Sequence, residues 1–408
     1  MAKRNQNIAK LQSGYLFPEI ARRKREFMQR NPSAKLISLG IGDTTEPLTP
    51  AIVRGLSGEV SGLASTKGYT GYGEEQGMPE LRRAIAQKLY GGIVPEDEVF
   101  VSDGAKPDTG RLQILFGPGR KIAVQDPSYP VYVDSSVMMG NTGAFDAGSG
   151  QFHGMQYLRC VPENDFFPNL GKAGSPDIIF FCSPNNPTGA AATKEQLRQL
   201  VDFARRKKSI IIFDAAYSQF IRDSKLPKSI FEIDGAKEVA IEVNSFSKPI
   251  GFTGVRLGWT IVPEKLKFDD GTSVRKDWNR IMTTVFNGAS NVAQHGALAA
   301  LSDKGLAEME NMVSYYMENA AIIKKALSGL GYETYGGDNA PYIWVKFNSG
   351  SWEAFESILE KAHIVTTPGV GFGPSGEGFV RFSAFGHREN IIEAVERLKK
   401  HLQENSKK

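Results

Sequence analysis

The middle of the chain repeats one unit: a short run of β-branched and aromatic residues, a turn rich in Gly, Pro, Ser or Asn, and a helical stretch. Residues 122–124 run into QDPSYP, Ile178–Cys182 into SPNNPTG, 210–213 into Asp214, and 239–243 into NSFSK. Between two of these runs, Lys194–Lys207 sets Leu197, Leu200, Val201 and Ala204 on one helical face. Strands this uniformly apolar must be covered on both faces, and the helices between them supply the cover. The spacing therefore predicts an α/β fold whose large domain is a mostly parallel central sheet flanked by helices. In such sheets ligands bind in the loops that follow the carboxyl ends of the strands. The residues with chemistry to offer stand in those loops.

Downstream the texture changes. Residues 291–327 predict helix, 342–347, 364–366 and Phe379–Ser383 predict strands, and 389–402 predict a closing amphipathic helix. This reads as a smaller α+β domain. The first 45 residues carry no βα rhythm, so they are assigned to it, giving a large domain over 46–290 and a small one from 1–45 and 291–408. A length of 408 residues suits two domains.

Composition excludes several classes. The charge sum, 49 − 45 = +4, is small for this length and predicts no broad attraction to nucleic acid or a membrane surface. Two cysteines, Cys160 and Cys182, cannot build a disulfide framework. No apolar run reaches the roughly 18 residues of a membrane span, and no apolar stretch follows the basic start MAKRNQNIAK. The expectation is a cytoplasmic enzyme.

Four loops carry the candidate chemistry. In SFSKPIGFTGVRLGW, Lys248 follows a strand and becomes a nucleophile toward a carbonyl if its surroundings lower its pKa. Ser245, Ser247 and Arg256 beside it offer the hydroxyls and guanidinium fork that a phosphate wants. Asp214 ends an apolar strand, where a carboxylate needs a partner such as a protonated pyridine nitrogen. As a turn residue it would need none. Tyr217 follows three residues on. Asn186 in SPNNPTG is a turn signal whose amide could also bond a phenolate oxygen. In SDGAK a strand end feeds a helix whose first amides, at Gly104, Ala105 and Lys106, would cradle a phosphate. Tyr129 in DPSYP is an aromatic ring at another strand end.

Taken together and in this order, DPSYP, NNPTG, DAAY and SFSK…GFTGVRLGW resemble the fold-type I aminotransferases that use pyridoxal phosphate. The resemblance spans nearly the whole chain. Within that family, GYGEEQG (71–77) and FNGASN (286–291) resemble the branch that acts on LL-2,6-diaminopimelate and 2-oxoglutarate. The resemblance implies that Lys248, Asp214 and Tyr217 are catalytic, with Lys248 bonding the cofactor and moving the proton. It implies that Tyr72, Ala105, Lys106, Tyr129, Asn186, Ser245, Ser247, Arg256 and Asn287 hold pyridoxal 5′-phosphate with them. Tyr15, Gly42, Glu75, Lys106, Tyr129, Asn186, Asn287 and Arg381 would contact the amino-acid and keto-acid substrates, Arg381 gripping the α-carboxylate. Tyr72, Tyr15 and Glu75 would reach across a homodimer interface, and Glu75 would face a second ammonium group. No metal is implied.

Two other readings stay open on sequence alone. One is an aminotransferase of the same fold for aspartate, aromatic or alanine-type substrates. The other is a non-catalytic binding module or regulator, although no basic helix-turn-helix segment precedes Gly40.

Overall fold

Alternate residues along a strand face opposite sides of its sheet, and here both sides are apolar. Ile179, Phe181, Ile211 and Phe213 belong to one buried cluster, while Ile178, Phe180 and Ile212 belong to another. Both faces are thus packed, as the uniformly apolar runs predict. Each fully buried side chain of this size is worth about 1.5–3 kcal/mol in transfer terms. The computed structural model describes residues 1–12 and 16–405.

A short strand, Ile37–Ser38 (β1), precedes the main sheet. That sheet comprises Val99–Ser102 (β2), Ile122–Asp126 (β3), Gln156–Arg159 (β4), Ile178–Cys182 (β5), Ile210–Asp214 (β6), Ala240–Ser245 (β7) and Gly258–Ile261 (β8). Its spatial order is β2-β8-β7-β6-β5-β3-β4. Only β8 runs antiparallel to its neighbours; the β7-β6-β5-β3-β4 pairings are all parallel.

Helices seal both faces. Lys194–Lys207 starts with a capping box, Thr193 accepting the Gln196 amide and Gln196 accepting the Thr193 amide, and buries Leu197, Leu200, Val201, Phe203 and Ala204. Such a cap is worth about 1 kcal/mol.

The C-terminal part forms a second sheet. Its strands are Thr334–Gly336 (β9), Tyr342–Lys346 (β10), Thr367–Pro368 and Phe379–Ser383, in the order β9, β10, Phe379–Ser383, Thr367–Pro368. Separately, β1 pairs in parallel with Ile364–Val365, so the start of the chain is bound to its last quarter.

Two elements differ from the sequence reading. The helix expected over 291–327 is two, Asn291–Ala300 and Asp303–Gly329. Leu301 ends the first, and Ser302 caps the second, its side chain accepting the Gly305 amide. The strand expected at 364–366 is split at Thr366: Ile364–Val365 pairs with β1, and Thr367–Pro368 pairs with Phe379–Ser383. One segment here serves two sheets. Among the described residues, no helix is long and apolar enough to cross a membrane.

Candidate active site

The carboxyl ends of β2, β3, β5, β6 and β7 open on one side of the main sheet. There a cavity of about 280 Å³ is lined by Gly42, Ala105, Lys106, Tyr129, Asn186, Asp214, Tyr217, Ser245, Ser247, Lys248, Arg256 and Arg381. These twelve are residues singled out from the sequence, gathered from segments far apart in the chain. Phe17, Ile41, Thr109, Tyr132, Cys182, Ala216 and Tyr342 complete the wall.

At one end lies a cradle for an anion. Helix Ala105–Phe116 begins there, with Gly104 at φ +131°. A side chain at Gly104 would bring its Cβ within 2.6 Å of Arg256 Nη2, so only glycine leaves room between helix start and guanidinium. Arg256 holds a left-handed φ of +70°, rare for a non-glycine residue. Its Nη1 donates to Ser247 Oγ at 3.2 Å and to the Thr253 carbonyl at 3.1 Å. The Ser247 amide in turn donates to Ser245 Oγ at 3.0 Å.

The helix start is itself anchored from below. The buried Asp108 carboxylate accepts from Ser102 Oγ at 2.6 Å, Thr260 Oγ1 at 2.7 Å and Arg111 Nη1 at 2.8 Å. Cation, amides and hydroxyls converge where a phosphate-sized anion would be held.

In the middle, burial pushes the Lys248 ammonium down to about 8; Asp43 opposes the shift, and Arg381 and Arg256 add to it. Lys248 Nζ donates to the Gly42 carbonyl. Asp214 is buried, and desolvation drives its carboxyl upward against hydrogen bonds from Tyr132 and the Ala216 amide. The Ala216 contact, 3.0 Å to Oδ1, is the turn role of an Asp, and the same carboxylate also faces the cavity. The turn reading of Asp214 is met, and its place on the cavity wall leaves the carboxylate available to a cationic partner. Tyr217 Oη lies 2.6 Å from Tyr342 Oη.

At the far end Arg381 is 1% exposed, the reverse of a surface-strand arginine. Its Nη1 donates to Asn186 Oδ1 at 2.5 Å and its Nη2 to the Gly40 carbonyl. The guanidinium lies 4.4 Å from the Tyr342 ring centroid and 4.8 Å from that of Phe372. Its Nε is buried without a partner. A buried donor left unmatched is costly, and a carboxylate entering the cavity would match it. Asn186 has its carbonyl end engaged by Arg381, which turns its amide NH₂ to other uses.

Three expected residues lie elsewhere. Tyr72 is 91% exposed, Glu75 is half-buried and Asn287 is exposed; none lines the cavity of its own chain. They form a patch with one another. Asn291 Nδ2 donates to the Gly71 carbonyl at 3.0 Å, and Gly288 abuts Glu74 and Glu75. Thus GYGEEQG and FNGASN, distant in sequence, are neighbours in space. Tyr15 lies outside the described residues.

Tyr132 and Tyr342 were not singled out from the sequence. The spacing of Tyr132 behind DPSYP, which puts it on the inner face of helix Val131–Met139, was the available signal.

Comparison with known proteins identifies the family. Residues 34–398 match the family described as Aminotransferase class I and II. The chain is 58% identical to the chloroplastic LL-diaminopimelate aminotransferase of Arabidopsis thaliana over 398 residues, 97% of this chain and 86% of that protein. It is 57% identical to LL-diaminopimelate aminotransferase of Protochlamydia amoebophila (strain UWE25) over 400 residues, 98% of this chain and 97% of that one. The solved L,L-diaminopimelate aminotransferase from Chlamydomonas reinhardtii matches with a TM-score of 0.94 and 58% identity, covering 98% of each chain.

Proposed function

The chain belongs to the class I and II aminotransferases, and on that premise we propose that it exchanges an amino group between LL-2,6-diaminopimelate and 2-oxoglutarate. The products are tetrahydrodipicolinate and glutamate, and the reaction serves lysine and peptidoglycan-precursor synthesis. The observation that carries this reading is near-full-length identity to LL-diaminopimelate aminotransferases, joined to a cavity with a lysine, a buried carboxylate and a buried arginine.

The family is pyridoxal-phosphate-dependent in general, and the cavity suits that cofactor. Gly104 leaves space against Arg256, and the Ser247 and Ser245 hydroxyls lie beside that guanidinium. When bound, pyridoxal phosphate supplies an electrophilic aldehyde and a protonated ring that accepts electrons from the substrate. Ala105, Lys106, Ser245, Ser247 and Arg256 would hold its phosphate, Asp214 its ring nitrogen, Tyr217 and Asn186 its phenolic oxygen, and Tyr129 one face of the ring.

Lys248 near pH 8 is neutral often enough to act as nucleophile and base, and its Nζ would carry the proton released at the substrate Cα. Arg381 would bind the α-carboxylate that amino donor and keto acceptor share, so one arginine serves both half-reactions. Gly42 keeps the Lys248 side open, because any side chain there would collide with the Tyr342 hydroxyl.

Substrate choice and assembly form the outer part of the proposal. Tyr15, Tyr72, Glu75 and Asn287 would complete the cavity of a second copy in a homodimer. The exposure of Tyr72 and Asn287 in one chain supports this. Glu75 would read the second ammonium group of diaminopimelate. The same reading takes 46–290 as the cofactor-binding domain, 1–45 with 291–408 as the small domain, and the location as cytoplasmic.

The test is an absorbance spectrum of the protein loaded with pyridoxal phosphate, followed by LL-diaminopimelate. A yellow lysine-bound band that converts to the pyridoxamine form is expected. Conversion only by other amino acids would remove the specificity, and no band would remove the cofactor.

A further inference from the structure

Asp214 has few partners for a group that must be ionised to pair with a cationic ring. It is buried, and the titratable groups facing it are Tyr132 from helix Val131–Met139, Tyr129, Cys182 at the end of β5, and Tyr342 of β10. Every one is a hydroxyl or thiol that burial keeps protonated. Two hydrogen bonds hold the carboxylate: the Ala216 amide on Oδ1 at 3.0 Å and the Tyr132 hydroxyl on Oδ2 at 2.6 Å.

We propose that Tyr132 is a positioning residue for the reaction, its hydroxyl fixing the Asp214 carboxylate for the ring nitrogen of the cofactor. This rests on the pyridoxal phosphate reading given above. Tyr132 is 1% exposed, stacked on Phe180 at 5.2 Å with planes 11° apart, and edge-on to Tyr129 at 5.9 Å. Its ring cannot swing away. Desolvation, the Asp214 charge and the hydrogen bond all hold the phenol in its protonated form, so it is a permanent donor. A permanent donor on Oδ2 bonds an ionised carboxylate oxygen more strongly than a protonated one. Burial favours the neutral acid and the hydroxyl opposes it, in the direction a protonated pyridine requires.

The experiment compares wild type and Tyr132→Phe as apoproteins titrated with pyridoxal phosphate, followed by absorbance across roughly pH 5 to 9. Loss of the hydroxyl should weaken cofactor binding about tenfold at neutral pH and move the acid-side midpoint of binding up by about one unit. Leu200→Ala, which opens the other buried cluster and leaves Tyr132 and Phe180 in place, should lower the melting temperature without moving that midpoint. If Tyr132→Phe does not fold, fluorotyrosine at position 132 keeps the shape and strengthens the donor, and the midpoint should then move down. The double variant Tyr132→Phe/Asp214→Asn should bind no more weakly than Asp214→Asn alone. An unchanged midpoint in Tyr132→Phe or in the fluorotyrosine protein, with normal wild-type binding, overturns the role of Tyr132. Wild type that takes up no pyridoxal phosphate overturns the cofactor reading instead.

Discussion

The cavity and the patch formed by residues 71–77 and 286–291 are built by opposite rules. In the cavity the central polar groups are held by others: Lys248 by the Gly42 carbonyl, Arg381 by Asn186 and Gly40, Asp214 by Tyr132 and Ala216. The patch is open, its most prominent ring, Tyr72, almost wholly exposed, and it touches none of the cavity of its own chain. Interlocked groups suit chemistry that does not vary between substrates. A loosely held surface suits selection, which in this reading is completed only when a second copy arrives. In this reading one chain carries the buried lysine, carboxylate and arginine of a site that its partner's Tyr72 and Glu75 would complete.

The largest effect should come from the cavity. Lys248→Ala should remove the yellow band and reduce turnover of every substrate by about 10⁴-fold or more. Mixing it with a Tyr72→Ala protein, after dissociation and reassociation, should restore activity, because one hybrid site then has both residues intact. No recovery on mixing would mean that Tyr72 serves its own chain, and the contrast between the two regions would fail.

The next effect should be selective. Glu75→Gln should lower kcat/KM for LL-diaminopimelate about tenfold, the scale of one charge-assisted contact, and leave glutamate turnover within about twofold. Equal losses on both substrates would make Glu75 part of the common machinery.

A last effect is a pH dependence confined to the cavity. Burial lowers the Lys248 ammonium to about 8, so the fraction of neutral amine rises with pH and levels off above that value. Capture of pyridoxal phosphate by the apoprotein should accelerate about tenfold per pH unit below 8 and plateau above it. Glu75→Gln should leave this profile unmoved; stopped-flow absorbance checks both.

How far the sequence reaches follows the same division. The strands ending at Cys182, Asp214 and Ser245 were legible because a strand buried on both faces has a composition of its own, and Lys248 was legible from its place behind one. Tyr132 was not. In PVYVDSS it reads as one more core residue, and its partner lies 82 residues away, beyond any local spacing. Tyr342 was missed for the same reason, its hydroxyl meeting Tyr217 across 125 residues. The break at Ser302 was overlooked because apolar periodicity runs through it, although a serine ahead of Asp and Lys is a capping signal. Neighbourhood between the 71–77 and 286–291 segments is a tertiary fact that neither motif carries alone.

The Gly40 carbonyl, bound by Arg381, carries one more consequence. The two residues are 341 positions apart, and β1 just before Gly40 waits for Ile364–Val365 as its neighbour. A chain emerging from the ribosome exposes its lysine and phosphate cradle long before the arginine that would grip a carboxylate has been synthesised. Closing a loop of that length is slow compared with forming the local βα units. The reaction centre is thus among the last parts of the molecule to be completed, and a product shortened before residue 381 would lack the arginine that would grip a carboxylate.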